Sequence, residues 1–141
     1  MNNPYLNVKK HLWKAHGYWL AGMLIFSANA FAECNQEAAD KGVQTAMNTC
    51  AYEAYHTADQ EMNAAYKNLT KQLNDPENKT YSNKRIRALK LSQRAWLKFR
   101  DAECNYQALG FEGGSMQPLI RASCMEQLTK ERTKQLHYEQ K

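Results

Sequence analysis

The chain has 141 residues, 43% of them hydrophobic and 23% charged, with 19 lysines and arginines against 14 aspartates and glutamates. That length allows one small domain after any processed segment is set aside. Three of the basic residues and none of the acidic ones lie in the first 32 positions, so the net charge of the remaining residues is close to zero. No basic stripe interleaved with aromatic residues is apparent in these remaining residues. We therefore exclude nucleic acid as a partner.

The first 32 residues have the three parts of a secretory signal peptide. Three lysines precede an uncharged apolar run from Gly17 to Phe26, and two overlapping A-x-A sites end at Ala32. A membrane-spanning helix needs about 20 apolar residues, twice the length of this run. We therefore predict cleavage after Ala32, export to the periplasm or beyond, and no membrane span afterwards. An uncleaved N-terminal anchor is the alternative.

All four cysteines, Cys34, Cys50, Cys104 and Cys124, follow the predicted cleavage site. An even number in a small exported chain indicates two disulfides. Pairing them in sequence order would tie the start of the domain to its first helix and clamp the second helix to the third. If the first two helices are antiparallel, however, Cys50 lies level with Cys104, so that pairing stays open. The sequential pairing is the favoured prediction.

A long helix is predicted from Thr45 to Leu73, after a short polar lead-in. Apolar residues recur there at steps of three and four, which places them on one helical face: Met47, Ala51, Ala54, Ala58, Met62, Ala65, Leu69 and Leu73. Pro76 ends the pattern because proline lacks the amide hydrogen that a helix interior requires.

Two further helices are predicted, from Lys84 to Leu109 and from Pro118 to His137. The first has Ser82 or Asn83 as its N-cap, and the second begins with a proline, which is favoured at that position. Their inward residues are Ile86, Leu89, Gln93, Trp96, Arg100 and Cys104, then Leu119, Ala122, Met125, Leu128 and Leu136. The predicted fold is an all-α, antiparallel three-helix domain over residues 33–141, stapled by two disulfides.

Polar residues interrupt the inward faces of the first two long helices. Asp59 and Asn63 share a stripe on one, and Trp96 and Arg100 share a stripe on the other. If these stripes meet, Asp59 and Arg100 can form an ion pair. We interpret the four residues as a buried structural network that fixes the helix register; a polar binding pocket is the alternative.

Catalytic and metal chemistry find little support in the sequence. No nucleophile lies beside a base in a known pattern, and no C-x-x-C motif occurs. His56 and Asp59, three residues apart, could hold a metal or relay a proton, but such a pair is more typical of a solvated helix face. We therefore predict no catalytic residue, no cofactor and no metal, and a protein that is not an enzyme.

The segment between the second and third long helices is a candidate partner-binding loop. It contains three glycines, which break the helical pattern, and two apolar residues in polar surroundings: the candidate residues are Phe111, Glu112, Gly113, Gly114, Ser115 and Met116. A loop on a rigid clamp can present a binding element. The alternative is a helix connector whose phenylalanine caps the core.

Several motifs beyond the cleavage site resemble the LprI-like lysozyme-inhibitor family. They are Met47-Asn48-x-Cys50-Ala51, Ala58-Asp59-x-Glu61-Met62-Asn63-x-x-Tyr66, Gln93-Arg94-Ala95-Trp96-Leu97-x-Phe99-Arg100-Asp101-Ala102-Glu103-Cys104, Gly113-Gly114-Ser115 and Leu128-Thr129-x-x-Arg132-x-x-x-Leu136. The resemblance implies a small exported helical domain that inhibits lysozyme, and we expect cleft blocking by the candidate loop. An envelope structural or host-interaction protein without lysozyme activity is the alternative function.

Overall fold

The computed structural model describes residues 34–139, and within that range it contains helices and turns but no strand. The all-α prediction is confirmed, and the predicted leader with its cleavage site lies outside the described residues. The described residues form four α-helices and one 3₁₀ turn: α1 (Gln36–Asp40), α2 (Gln44–Gln72), α3 (Lys79–Ala108), the 3₁₀ turn (Leu109–Phe111) and α4 (Gln117–Tyr138).

The polar lead-in contains the short helix α1, which the sequence analysis did not predict. Its N-cap is Asn35, whose Oδ1 accepts a hydrogen bond of 3.0 Å from the amide of Ala38. Gly42 follows with a φ of 80° and turns the chain into α2. A helix of five residues is too short for an apolar periodicity to reveal it.

Helix α3 begins at Lys79, five residues before the predicted start, and the predicted cap at Ser82 or Asn83 is wrong. Asn78 is the N-cap, with its Oδ1 accepting from the amide of Tyr81. Ser82 is buried and instead serves the end of α2, because its hydroxyl donates to the carbonyl of Leu73 at 2.5 Å. The serine thus links two helices across their connecting turn.

Helices α2 and α4 run parallel to each other, and α3 runs antiparallel to both. Asn48, near the start of α2, donates to the carbonyl of Ser115 just before α4. At the other end, Leu73 and Leu136 belong to one core cluster. Helix α4 packs more extensively against α2 than against α3, so the first and the last of the three long helices form the closest pair.

The apolar core consists of two clusters, one towards each end of the bundle. One comprises Met62, Ala65, Leu69, Leu73, Leu89 and Leu136. The other, nearer the loop that precedes α4, comprises Cys104, Cys124 and Met125. Polar residues occupy the level between the two clusters, and this level is called the polar layer below.

Both disulfides follow the sequential pairing. Cys34 is bonded to Cys50, with 4.7 Å between their Cα atoms, and Cys104 to Cys124, with 5.5 Å. The favoured prediction is confirmed, and the pairing of Cys50 with Cys104 is wrong. The first bond fastens the segment before α1 to α2, and the second joins α3 to α4 beneath the connecting loop.

Candidate functional site

Arg100 is the centre of the polar layer and joins all three long helices. Its Nη1 donates to Asp59 Oδ1 on α2 at 2.9 Å and to Thr129 Oγ1 on α4 at 3.2 Å. Its Nε donates to Asp101 Oδ1 at 3.0 Å. Nη1 and Nε therefore donate to two different carboxylates, and Arg100 does not form a bidentate pair with Asp59.

Two aromatic rings cover the Arg100 guanidinium. Its central carbon lies 5.4 Å from the ring centre of Tyr55 and 5.3 Å from that of Trp96, distances suited to cation–π attraction. Burial opposes the positive charge, but the hydrogen bonds to Asp59 and Asp101 outweigh it and raise the pKa of Arg100 above its usual value. The buried side chain therefore stays positively charged, and the two carboxylates balance its charge.

Asn63 lies at the exposed edge of the polar layer, where its Nδ2 donates to Asp59 Oδ2 at 2.9 Å. Each oxygen of Asp59 thus has a partner, Arg100 for one and Asn63 for the other. Because Arg100 is only 5% exposed and already has three oxygen partners, it offers little surface to a ligand. This geometry favours the structural interpretation of the network over a binding pocket.

A second buried arginine, Arg132 on α4, extends the polar layer and was missed by the sequence analysis. Its Nε donates to Gln93 Oε1 at 3.0 Å and its Nη2 to Ser92 Oγ at 3.3 Å. Gln93 in turn contacts the sulfur of Met62 at 3.3 Å. Spacing alone did not reveal it, because Thr129 and Arg132 share a helical face but their burial depends on how α4 packs against the other helices.

Tyr55 is expected to ionise at a higher pH than an unperturbed tyrosine. Burial raises its pKa above the ordinary value of 10.0, although the charge of Arg100 acts in the opposite direction. The contribution of the Tyr55 hydroxyl to the free energy of unfolding is therefore fully present below pH 10. It is lost as the pH rises through the higher pKa of the folded state. A titration of phenolate absorbance should show one late transition that is absent in Tyr55→Phe, and an unchanged profile in that variant would contradict the assignment.

The candidate loop has a defined, hydrogen-bonded conformation. The amide of Gly114 donates to the carbonyl of Phe111 at 2.9 Å, and the amide of Gly113 to Gln117 Oε1 at 3.3 Å. Gly113 has a φ of 74°, which an L-residue with a side chain rarely adopts. Asn48 fastens the far side of the loop to α2 through the carbonyl of Ser115.

The loop exposes apolar side chains at the end of the bundle. Phe111 is 40% and Met116 41% exposed, and neither core cluster includes Phe111. Glu112 is exposed between them. Leu109 and Tyr106, on the approach to the loop, are exposed as well. The loop end therefore presents an apolar surface with one acidic side chain.

A groove of about 300 Å³ lies next to the loop, between the N-terminal halves of α2 and α4. Its lining residues are Asn48, Tyr52, Tyr55, Gln117, Pro118, Arg121 and Ala122. The sequence analysis did not predict this groove, because it depends on α2 and α4 being parallel neighbours. Together the loop and the groove form the candidate partner surface.

His56 and Asp59, considered from the sequence as a metal-binding or proton-relay pair, both lie half-buried on α2. The ring of His56 lies 6.4 Å from that of Tyr52, while Asp59 is engaged by Arg100 and Asn63. Within residues 34–139 no group of three or more histidine, cysteine or acidic side chains is placed to hold a metal ion. In the same range, no helix has the length and apolar character needed to cross a bilayer.

Residues 34–136 match the family model described as "Lysozyme inhibitor LprI". The match begins at Cys34 and ends at Leu136, so it includes both disulfides, the polar layer and the candidate loop. The chain belongs to the LprI family. This membership agrees with the resemblance found in the sequence motifs, and the family is one of inhibitors rather than enzymes.

One related protein aligns with this chain over most of the length of both sequences. It is an uncharacterized protein of Rhizobium meliloti (strain 1021), 34% identical over 125 residues that cover 83% of this chain and 88% of the relative. No solved structure matches the chain. LprI membership and two disulfides indicate a protein that works outside the reducing cytoplasm.

Proposed function

We propose that residues 1–32 are removed during export to the periplasm or the cell exterior, and that residues 33–141 then inhibit a lysozyme by filling its substrate cleft with the candidate loop. The observation that carries the proposal is the family match over residues 34–136, together with the exposed loop held above a disulfide. The protein acts as a binding partner rather than as a catalyst.

The loop is prepared for binding before it meets a partner. Its internal hydrogen bonds and the bond from Asn48 to Ser115 restrict its conformations in the free protein. Little conformational entropy then remains to be lost on association. The Cys104–Cys124 disulfide restrains the two helices on which the loop is mounted.

The chemistry of the loop tip suits a cleft that is partly apolar and partly basic. Phe111 and Met116 supply apolar contact area of the kind that dominates interface energies. Glu112 supplies a negative charge between them. Animal-type lysozymes are strongly basic, so an acidic group at the tip would be attracted to the rim of the cleft.

The test is the rate at which lysozyme clears a suspension of cell walls in the presence of the protein. Phe111→Ala/Glu112→Ala is expected to raise the inhibition constant about 30-fold, as for loss of an interface hot spot. Tyr138→Ala/Glu139→Ala is the matched control, because it removes an exposed aromatic residue and the following glutamate at the opposite end of the bundle. That control should inhibit like the unaltered protein.

Two results would contradict the proposal. Absence of inhibition by the unaltered protein at large molar excess would reject lysozyme as the partner, and would favour an envelope structural or host-interaction protein. Inhibition that survives in Phe111→Ala/Glu112→Ala would keep lysozyme as the partner but reject the loop as the blocking element. The groove beside the loop would then be the next surface to alter.

A further inference from the structure

Charge is strongly segregated along residues 33–141, although their total charge is close to neutral. Residues 78–100 contain no aspartate or glutamate, yet they contain half of the lysines and arginines found beyond residue 32. Nearly all of this segment belongs to α3. The prediction that no basic stripe interleaved with aromatic residues is present rested on the overall charge balance, which does not reveal this stretch.

Five of these basic residues form a stripe on the outer face of α3. With 3.6 residues per turn they fall within an arc of about 120° and extend over about 21 Å: Lys84, Arg87, Lys90, Arg94 and Lys98. All five are exposed. None of the ion pairs found among residues 34–139 involves any of them. The stripe is therefore an exposed row of positive charge that nearby carboxylates do not neutralise.

Two large apolar side chains accompany the stripe. Leu91 lies within its arc and is 61% exposed, and Phe99 lies about 60° beyond the edge of the arc and is 55% exposed. Neither is part of the core clusters. Long basic side chains mixed with exposed leucine and phenylalanine are typical of helices that lie in the interfacial region of a membrane.

We propose that the outer face of α3 binds the surface of an anionic phospholipid bilayer. The basic side chains would contact lipid phosphates, while Leu91 and Phe99 enter the headgroup region. The outer face of a straight helix is convex and meets a planar surface along its length. A flexible anionic polymer such as single-stranded nucleic acid is instead held in a basic groove with stacked aromatic rings.

This orientation leaves the candidate partner surface accessible. The stripe runs along the length of α3, whereas the loop of Phe111 and Met116 lies at one end of the bundle. Helix α3 would lie parallel to the membrane surface. The loop would project beyond the C-terminal end of α3 and stay in the water next to the bilayer. Membrane binding through α3 is therefore independent of what the loop binds.

The test is cosedimentation with vesicles, using protein purified after export and with its N-terminus determined by mass spectrometry. Vesicles of phosphatidylglycerol mixed with phosphatidylcholine should bind the protein, and pure phosphatidylcholine vesicles should not. Arg87→Gln/Arg94→Gln is expected to weaken binding about 30-fold, because each basic group contributes about a factor of five at an anionic surface. Raising the salt concentration should weaken it further.

Lys67→Gln/Lys71→Gln is the matched control, because it removes the same charge from exposed positions on α2. Its binding should stay within about twofold of the unaltered protein, since charges off the contact face are screened within about a Debye length. Leu91→Ser/Phe99→Ser should weaken the part of binding that persists at high salt. Circular dichroism should show that all variants keep their helix content.

Four results would overturn the proposal. One is equal binding to anionic and uncharged vesicles, and another is equal loss of binding in the α3 and α2 charge variants. The third is tight binding to an oligonucleotide without binding to anionic vesicles, which would assign the stripe to nucleic acid. Persistent binding in Arg87→Gln/Arg94→Gln would likewise show that another part of the chain holds the membrane.

Discussion

Replacement of Arg100 by alanine is expected to lower the free energy of unfolding by about 3 kcal/mol. The change leaves Asp59 and Thr129 without their cation and removes the charge that Tyr55 and Trp96 cover. Asp59 keeps some contact with water, which places the loss at the lower end of the range for broken buried pairs. Urea unfolding followed by circular dichroism measures the effect.

Lys98→Ala provides the matched control for Arg100→Ala. It removes a long basic side chain from the same helix, two residues away, but from an exposed position. Its effect should stay within about 0.5 kcal/mol. A similar stability for the two variants would show that the polar layer contributes little.

A double replacement separates stability from helix register. Asp59→Leu/Arg100→Leu removes both charges, and such exchanges of a whole pair are often neutral or stabilising. We expect it to be more stable than Arg100→Ala while losing the bonds that align α2 with α3. A double variant less stable than the single one would mean that the ion pair itself supplies net stability.

The regular part of the fold could be predicted because its signal is local. Buried residues of α2 such as Ala58, Met62, Ala65 and Leu69 recur at steps of three and four, and the structure buries each of them. The ends of helices were harder, as at Ser82, because a residue that suits an N-cap can equally bond to the end of a neighbouring helix. Tertiary contact decides between these roles.

The polar layer was partly predictable and the groove was not. Asp59 and Arg100 interrupt apolar faces, so their meeting could be expected from two helices alone. Thr129 and Arg132 needed the third helix in place, with α4 packed closely on α2. The groove near Tyr52 and the charge pattern of α3 depend on which helix faces are left uncovered, which periodicity does not determine.

Removal of the Cys104–Cys124 disulfide is the second large effect that we expect. Cys104 is fully buried and Cys124 nearly so, and the bond joins α3 to α4 within a core cluster. Closing a loop of this length contributes about 3 kcal/mol in the chain-entropy model. Cys104→Ala/Cys124→Ala also leaves space where the sulfurs packed, so its loss should exceed that figure.

The Cys34–Cys50 disulfide closes a loop of similar length, so its effect on the entropy of the unfolded chain is almost the same. Cys34 and Cys50 are 16 residues apart, against 20 for the buried pair, so the chain-entropy model gives nearly the same value for both. The Cys34–Cys50 bond, however, fastens only α1 and its flanking residues to α2. Cys34→Ala/Cys50→Ala should therefore release a short segment and leave the three long helices folded.

Thermal unfolding of the two double variants distinguishes a global clamp from a local one. The Cys104/Cys124 variant should melt far below the unaltered protein, and the Cys34/Cys50 variant only slightly below it. Hydrogen exchange should show early opening of α1 in the second variant alone, because α1 packs mainly on α2 and has no buried residue of its own. Equal melting temperatures would mean that α1 is as important to the global fold as the junction of α3 with α4.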